Sequence, residues 1–468
     1  MKQPVCRFFA PMLVLTFAFA CSEPTNGVRA PQRSVASSRN GLEQVPQRAG
    51  HDQMWMDLSR RIAGFGGMYF NDDGDLVVVL KDTSKTAEAS AALAGFVGQS
   101  HRPKYLPSPH APRMLFAAGR YDYLELVALK DLVSSAVSKS NANAVAIDEV
   151  ANGILVGVDD GSISLAHSAL VAASVPENAV HIVSASRSHT VSDTIKLRNT
   201  TSPLVGGNRF WVGGTFCTLG LPVKWGSANS DGFISAGHCA RLGNGFGDTL
   251  VELGDSTFVL TQKSIGSIID DGSATHTCSH GTNCKWSDAA LFTMASGVTT
   301  RFAAIARGTA LAWALTGQYW SPSDVGNPIA YDHRSYWGSS TLGPFEMISQ
   351  EAFQGEVVGE WVSKVGQTTG WTVGQITNAS YDVHTDEGYW ILQSVQVHGG
   401  AYAGDSGAGV FVDAGTTTSN GNEAAKFYGI LFSADSLITD RGRSVYKSYT
   451  YSPIYLIQTH LGNGIAVD

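Results

Sequence analysis

The sequence predicts a mostly β chain in which a strand-rich C-terminal part follows a smaller α+β unit. Three observations carry that reading. Of the 468 residues 51 are glycine and only 15% are charged, against ~25% charged in an average globular protein, a balance suited to many turns and short strands. Apolar residues recur at helical spacing over 121–138 and again over 164–173, whereas beyond residue 200 short alternating runs separated by glycine take over. Nine of the ten tryptophans also lie beyond residue 200, so the composition changes at the polar segment Ser184 to Pro203. The net charge of −8, without a cluster of Lys and Arg, argues against nucleic acid as a partner.

At the N-terminus Lys2 and Arg7 precede an apolar run from Phe8 to Ala20 that closes with Ala18-Phe19-Ala20. Residues 1–20 therefore read as a secretory signal peptide, too short and wrongly flanked for a spanning helix, and no other stretch is apolar enough to cross a bilayer. A secreted chain is expected. Residues 21–50 are polar and aperiodic, with prolines and arginines, and read as a linker. Cys21 followed by Ser22-Glu-Pro-Thr-Asn-Gly27 resembles the tether of a bacterial lipoprotein, although Phe19 departs from the usual lipobox; a lipid there would be the one route to a membrane. After Cys6 leaves with the signal peptide, Cys21, Cys217, Cys239, Cys278 and Cys284 remain. Acylating Cys21 leaves four cysteines with three ways to pair, and a free Cys21 on the tail is the alternative.

Order begins near Trp55. Met68-Tyr-Phe70 and Leu76-Val-Val-Val-Leu80 flank Asn71-Asp-Asp-Gly-Asp75, a hairpin with its turn at Asp73-Gly74; as a calcium loop the segment lacks the remaining ligands. Then come a strand at Met114–Ala118, a helix at Tyr121–Ser138, a hairpin of Ala144–Ile147 and Ile154–Val158 around Asn152-Gly153, a helix at Ser164–Ala173 and a strand at Val180–Val183. Strand, helix, strand, strand, helix, strand is the split βαβ order. This unit, residues 51–200, holds no recognisable nucleophile or metal constellation.

Residues 201–468 hold the chemistry. Ser235-Ala-Gly-His-Cys239 supplies His238, Ser287-Asp-Ala-Ala-Leu291 supplies Asp288, and Ala401-Tyr-Ala-Gly-Asp-Ser-Gly-Ala-Gly409 supplies Ser406. A serine hydroxyl is a poor nucleophile at neutral pH. It needs an imidazole to take its proton and a carboxylate to fix the imidazole tautomer and hold its charge. Glycines around Ser406 allow the turn that would aim the backbone N–H groups of Gly404 and Ser406 at one oxyanion. The order His, Asp, Ser separates this chain from subtilisin-like chains (Asp, His, Ser) and α/β-hydrolases (Ser, acid, His).

Those motifs, with Cys217-Thr-Leu-Gly220, Gly232-Phe-Ile-Ser-Ala-Gly-His-Cys239 and Gly366-Gln-Thr-Thr-Gly-Trp-Thr-Val-Gly374, are similar to those of chymotrypsin-like serine proteases, and among them the secreted bacterial streptogrisin and α-lytic protease branch. The resemblance covers roughly residues 203 to 468. It implies a double six-stranded antiparallel β-barrel with the active site between the barrels, and a serine endopeptidase acting on protein or peptide substrates without cofactor or metal. It assigns His238 as general base and then acid, Asp288 as orienting carboxylate and Ser406 as nucleophile. It favours Cys217 pairing with Cys239, which leaves Cys278 with Cys284. The pocket floor falls at Gly399-Gly400-Ala401 and a wall at Phe432-Ser433-Ala434; small floor residues point to an apolar or medium-sized substrate side chain, an inference Asp435 at the rim would weaken. Between a signal peptide and such a domain, residues 51–200 resemble a pro-region that aids folding and blocks the active site, with maturation cleavage in or just after Ser184 to Pro203. A slowly folding, non-local β topology gives such a helper a physical rationale. Leu204-Val-Gly-Gly207 resembles the activated N-terminus of animal trypsins, whose freed amine inserts beside the Asp preceding the nucleophile, here Asp405; bacterial relatives mostly lack that switch.

Rival readings remain at this stage. His276, Cys278, His280 and Cys284 lie close enough in sequence for a tetrahedral zinc site, which a secreted setting disfavours against a disulfide. An α/β-hydrolase would need a glycine where Ala408 stands and alternating strands and helices upstream. A catalytically inactive binding protein, or an esterase, on the same fold uses the same residues. The segment Leu311 to Trp361 is longer than compact bacterial relatives need, and shapes a groove or packs the body.

Overall fold

The computed structural model describes residues 51–101, 109–187, 189–190, 203–212, 215–242, 249–252, 263–306, 344–350, 356–440, 443–462 and 464–467. Residues 1–50, with the expected signal peptide, Cys21 and the expected linker, lie outside these residues, as do most of the segment from Leu311 to Trp361 and most of the expected maturation region. Among the described residues no helix is long and apolar enough to cross a membrane.

The N-terminal layer runs α1 (His51–Arg61), β1 (Phe65–Phe70), β2 (Leu76–Leu80), α2 (Thr86–Leu93), β3 (Met114–Ala118), α3 (Tyr123–Val137), β4 (Ala142–Asp148), β5 (Gly153–Val158), α4 (Ile163–Ala172), β6 (Val180–Ser184) and the short β7 (His189–Thr190). α3 starts where a capping box satisfies its first amides: the Asp122 carboxylate accepts from Glu125 N and the Glu125 carboxylate accepts from Asp122 N, both at 2.9 Å. The β1–β2 hairpin closes on Asn71, whose side chain accepts from the amides of Asp73 and Asp75 while Gly74 turns at φ +82°. Asp75, a candidate calcium ligand by sequence, instead pairs with the Arg113 guanidinium at 2.8 Å. The hydrogen bonds from Arg113 hold its carboxyl below its ordinary range, against the opposing effect of burial.

The elements of this layer match the expected series, yet they do not form one split βαβ sheet. β3 lies parallel to β2 in a three-stranded sheet β1-β2-β3, while β4, β5 and β6 belong to a different, larger sheet. The reason lies at the turn between β4 and β5. Asn152, at φ +51°, accepts from the amides of Arg120 and Tyr121 and donates to the carbonyls of Tyr121 and Gly66, so it fixes the end of β3 and the start of β1 against the hairpin.

The rest of the chain is mostly β. Its first part comprises β8 (Leu204–Gly206), β9 (Arg209–Val212), β10 (Thr215–Thr218), β11 (Leu221–Trp225), β12 (Ser230–Ala236), α5 (Gly237–Leu242), β13 (Thr249–Glu252), β14 (Lys263–Asp270), β15 (His276–Cys278), β16 (Gly281–Lys285), β17 (Ala289–Met294) and β18 (Thr300–Ile305). The second comprises β19 (Phe345–Gln350), β20 (Trp361–Gly366), β21 (Gly370–His384), β22 (Trp390–Ala401), β23 (Gly409–Thr417), β24 (Glu423–Asp440), β25 (Arg443–Pro453), α6 (Ile454–Leu461) and β26 (Ile465–Ala466). An eight-stranded sheet, β10-β9-β13-β14-β17-β12-β11-β26, packs around Phe210, Phe233 and Phe292, the last two stacked at 4.6 Å. β26 shows that the C-terminus returns to close the edge of this first sheet. A second core of Val395, Val397, Tyr449 and Tyr451 fills the sheet built on β20–β25.

The N-terminal layer and this body pack as one compact unit. β4 adds to β21 antiparallel, with Ala146 opposite Tyr381 and Ala144 opposite Val383. The layer's core, with Trp55, Val133 and Ile147, continues onto Val357, Trp390 and Leu392 of the body. A buried polar seam runs beside it: Lys130 Nζ on α3 donates to the Ser380 carbonyl, the Ser380 hydroxyl and the Asp382 carboxylate at 2.8–3.0 Å, and His280 meets the other Asp382 oxygen at 3.0 Å. Burial opposes ionisation of Asp382, but Lys130 and His280 hold its carboxyl well below the usual range.

Candidate active site

β12 and β17 pair in register, with Ala236 opposite Ala289. His238, two residues past the end of one strand, and Asp288, one before the start of the other, therefore emerge side by side. Gly237 N donates to the Asp288 carbonyl at 3.0 Å. A side chain at Gly237 would place its Cβ 2.7 Å from Asp288 Oδ1, so only glycine lets the strands meet this closely. His238 Nδ1 lies 2.6 Å from Asp288 Oδ2, with both side chains buried. Because the carboxylate only accepts, Nδ1 carries the proton of this hydrogen bond. Nε2 is buried and makes no hydrogen bond among the described residues. The Cys217–Cys239 disulfide ties the helix bearing His238 to β10.

Asp288 has a second partner that sequence reading missed. Arg241 Nη2 donates to Asp288 Oδ1 at 2.6 Å, and the same nitrogen donates to Glu387 in the turn between β21 and β22; Nη1 donates to the Asp271 carbonyl at 3.0 Å. Burial alone would raise the Asp288 carboxyl, but Arg241 and then His238 hold it far below the ordinary carboxylate range. Lys285 is also buried here, its ammonium 3.5 Å from the centre of the Tyr389 ring. Burial, reinforced by Arg241, pulls it down to about 8. The available signal for Arg241 was its position three residues after His238, one helical turn away on a common face.

Ser406 is anchored at the same junction. Thr218 N donates to the Ser406 carbonyl at 2.8 Å and Thr218 Oγ1 to the Gly404 carbonyl at 2.9 Å. Gly407, at φ +91°, packs so tightly on β12 that a Cβ would come 2.1 Å from Ser235 Oγ. Gly404 stands at φ +95°, a conformation open to glycine at little cost. Thr368 Oγ1 donates to the Ala403 carbonyl at 2.7 Å. In a trans peptide the N–H opposes the C=O, so this bond turns the Gly404 N–H away from Thr368.

Asp405, immediately before Ser406, is fully buried within a closed set of donors. Lys364 Nζ lies 3.0 Å from Oδ2, Thr369 Oγ1 donates to Oδ2 at 2.6 Å, and the amides of Thr368, Thr369 and Tyr402 donate at 2.9–3.1 Å. Burial lowers the Lys364 ammonium against the pull of Asp405. Lys364 thus fills the place a freed N-terminal amine would take in a trypsin-like switch, whereas Leu204 N donates to the Thr299 carbonyl at the start of β8. A lysine among Val362, Ser363 and Val365 in a buried strand was the overlooked sequence signal.

Of the candidate pocket residues, Gly399, Gly400 and Ala401 end β22, and Phe432, Ser433 and Ala434 lie in β24; all are buried. β25 pairs with both strands, so Ala401 faces Tyr446, Ser433 faces Thr450 and Ala434 faces Tyr449. A Cβ on Gly399 would meet the Tyr449 ring at 3.0 Å. Asp435, next along β24, is buried too. The zinc alternative does not stand: Cys278 and Cys284 form a disulfide, His280 pairs with Asp382 and stacks on Trp390 at 3.9 Å, and His276 stacks on Trp286. Cys217 and Cys239 also flank His238 closely, but their disulfide leaves no thiolate to bind a metal.

No family model matches the chain, and no curated protein is found to match it. Solved structures do. Thermobifida fusca protease A is similar at 19% identity, a match covering 55% of this chain and 95% of that one with a TM-score of 0.33. Nocardiopsis protease is similar at 16% identity over 55% of this chain and 94% of that one, TM-score 0.33. An α-lytic protease homolog, N4, is similar at 12% identity over 56% and 98%, TM-score 0.33. Each of these similarities, to a protease, covers 55–56% of this chain.

Proposed function

We propose that residues 201–468 form a secreted serine endopeptidase and residues 51–200 its pro-region. The observation that carries this reading is the 2.6 Å contact of His238 Nδ1 with Asp288, made at the junction that anchors Ser406 through Thr218. In this mechanism Ser406 Oγ attacks the scissile carbonyl while His238 Nε2 takes its proton. Asp288 holds the ring and stabilises the imidazolium, and the amides of Gly404 and Ser406 receive the oxyanion. The imidazolium then protonates the leaving amine, and water releases the acyl group from Ser406 by the same steps. The absent hydrogen bond at Nε2 is compatible with a resting site whose contacts tighten when substrate binds.

Two pairings support the pro-region reading. β7 lies antiparallel on β24, with Thr190 opposite Ser433 and His189 opposite Ala434, so an extended stretch of the pro-region runs along the candidate pocket wall as a peptide would. β4 extends the sheet at β21, giving the slow-folding body a pre-formed edge to build on. Secretion through residues 1–20, removal of the pro-region and lipidation of Cys21 belong to the same proposal; N-terminal sequencing and the intact mass of secreted protein test them together.

A fluorophosphonate probe tests the enzyme itself. Labelling of the matured protein is expected, with its loss in Ser406→Ala and His238→Ala, and weaker labelling while residues 51–200 remain attached. Absence of labelling once that segment is removed selects a binding protein, and turnover of esters but not peptides selects an esterase.

A further inference from the structure

We infer that Arg241 is a positioning residue for the triad acid and that Glu387 sets how strongly it acts. The inference rests on the triad reading above. Both oxygens of Asp288 are engaged: Oδ2 with His238 and Oδ1 with Arg241 at 2.6 Å. The guanidinium therefore fixes the rotation of the carboxylate that orients the imidazole. It also places a positive charge on the far side of that carboxylate, which weakens the negative potential felt by an imidazolium at residue 238. Glu387, bonded to the same guanidinium nitrogen, returns part of that potential. Arg241 is mostly buried, its side chain 14% exposed, so solvent screens this arrangement only in part.

The surroundings are charged but arranged around the pair without replacing it. Lys285 and Tyr389 flank Arg241, Asp271 offers its carbonyl, Asp270 lies on the adjoining strand, and His460 on α6 bonds the Ser287 hydroxyl at 2.9 Å. None of these lies as close to an Asp288 oxygen as Arg241 does. Glu387 belongs to the turn closed by Thr385 N donating to the Tyr389 carbonyl at 2.9 Å. That turn is the tip of the hairpin on which β4 docks, so the device links the acid to a surface element far from it in sequence.

The two residues act in opposite directions, which a merely structural role would not produce. In the full chain with ¹⁵N-labelled histidine, the His238 signal, identified by its loss in His238→Ala, is titrated by NMR. Arg241→Gln is expected to move its midpoint up by about one pH unit, Arg241→Lys to return it part of the way, and Glu387→Gln to move it down by about half a unit. Midpoints of Arg241→Gln and Glu387→Gln within about 0.2 unit of the unmodified chain, or displaced in the same direction, overturn the proposal. If Arg241→Gln does not fold, the partly exposed Glu387→Gln decides alone, and no downward displacement overturns it. Asp288→Asn separates the two claims: if it leaves the midpoint unmoved, the triad reading itself falls.

Discussion

The loop holding Ser406, the proposed nucleophile, and the corner holding Asp288, the proposed triad acid, each bury a carboxylate against a cation, and they do so by different means. Asp405 is satisfied entirely from nearby: Lys364, Thr368 and Thr369 on one strand and its turn, and Tyr402 three residues back. Its own loop and the end of β20 with the turn that follows supply all of these partners. Asp288 instead shares one oxygen with Arg241, which shares its own nitrogen with Glu387 on a hairpin whose other flank is held by the N-terminal layer. The first arrangement fixes a backbone geometry; the second makes the electrostatics of Asp288 depend on a further element, the tip of the β21–β22 hairpin that carries Glu387.

The largest expected break is at the closed loop. Lys364→Met leaves Asp405 buried without its cation and should lower stability by about 3–5 kcal/mol, measured by urea denaturation. Adding Asp405→Asn, which removes the charge but keeps an acceptor for the Thr368 and Thr369 amides, should recover most of that loss. No recovery would mean the lysine acts by packing. The open network should respond less, and through its supports. Lys130→Met removes the cation from Asp382 while His280 remains, so a loss near 2–3 kcal/mol is expected. It should be concentrated in faster hydrogen exchange at Val145 and Ala146 of β4, with the amides of β12 unchanged.

Lys285→Met should have the smallest effect and the opposite sign. The native ammonium titrates at about 8 and an unfolded lysine near 10.4. Between those values the unfolded chain holds more protons, so stability of the unmodified protein rises with pH across that window. The methionine variant should be more stable at pH 7 by about 1–2 kcal/mol, the Tyr389 face offsetting part of the burial cost. That advantage should fade as the pH approaches 10. Equal urea midpoints of the two proteins at pH 7 would show that the aromatic face fully offsets desolvation.

Local signals were the legible part of this chain. The capping box of α3, the turn at Gly74 and the apolar spacing of α4 act over a few residues, and the helices and strands of the N-terminal layer follow them closely. Sheet membership was not legible, because β3 is chosen by pairing with β2 and by the reach of Asn152, both contacts made across distance. His238 and Ser406 stood out because Gly237, Gly404 and Gly407 beside them are required by the close approach of strands, and Asp288 because it opens the small apolar run Ala289-Ala290-Leu291. Arg241, Lys364 and Glu387 did not, since a charged residue shows nothing in sequence about which distant carboxylate or guanidinium it will meet.

The pairing of β4 with β21 carries a liability for any form that loses the N-terminal layer. Tyr381, Asp382 and Val383 would then present unbonded main-chain groups to water, beside Val357, Trp390 and Leu392, which the layer's core now covers. An open strand rim next to an apolar patch invites pairing between copies. Asp382, relieved of Lys130, would leave negative charge on that rim, the kind of residue that keeps a bare strand edge soluble.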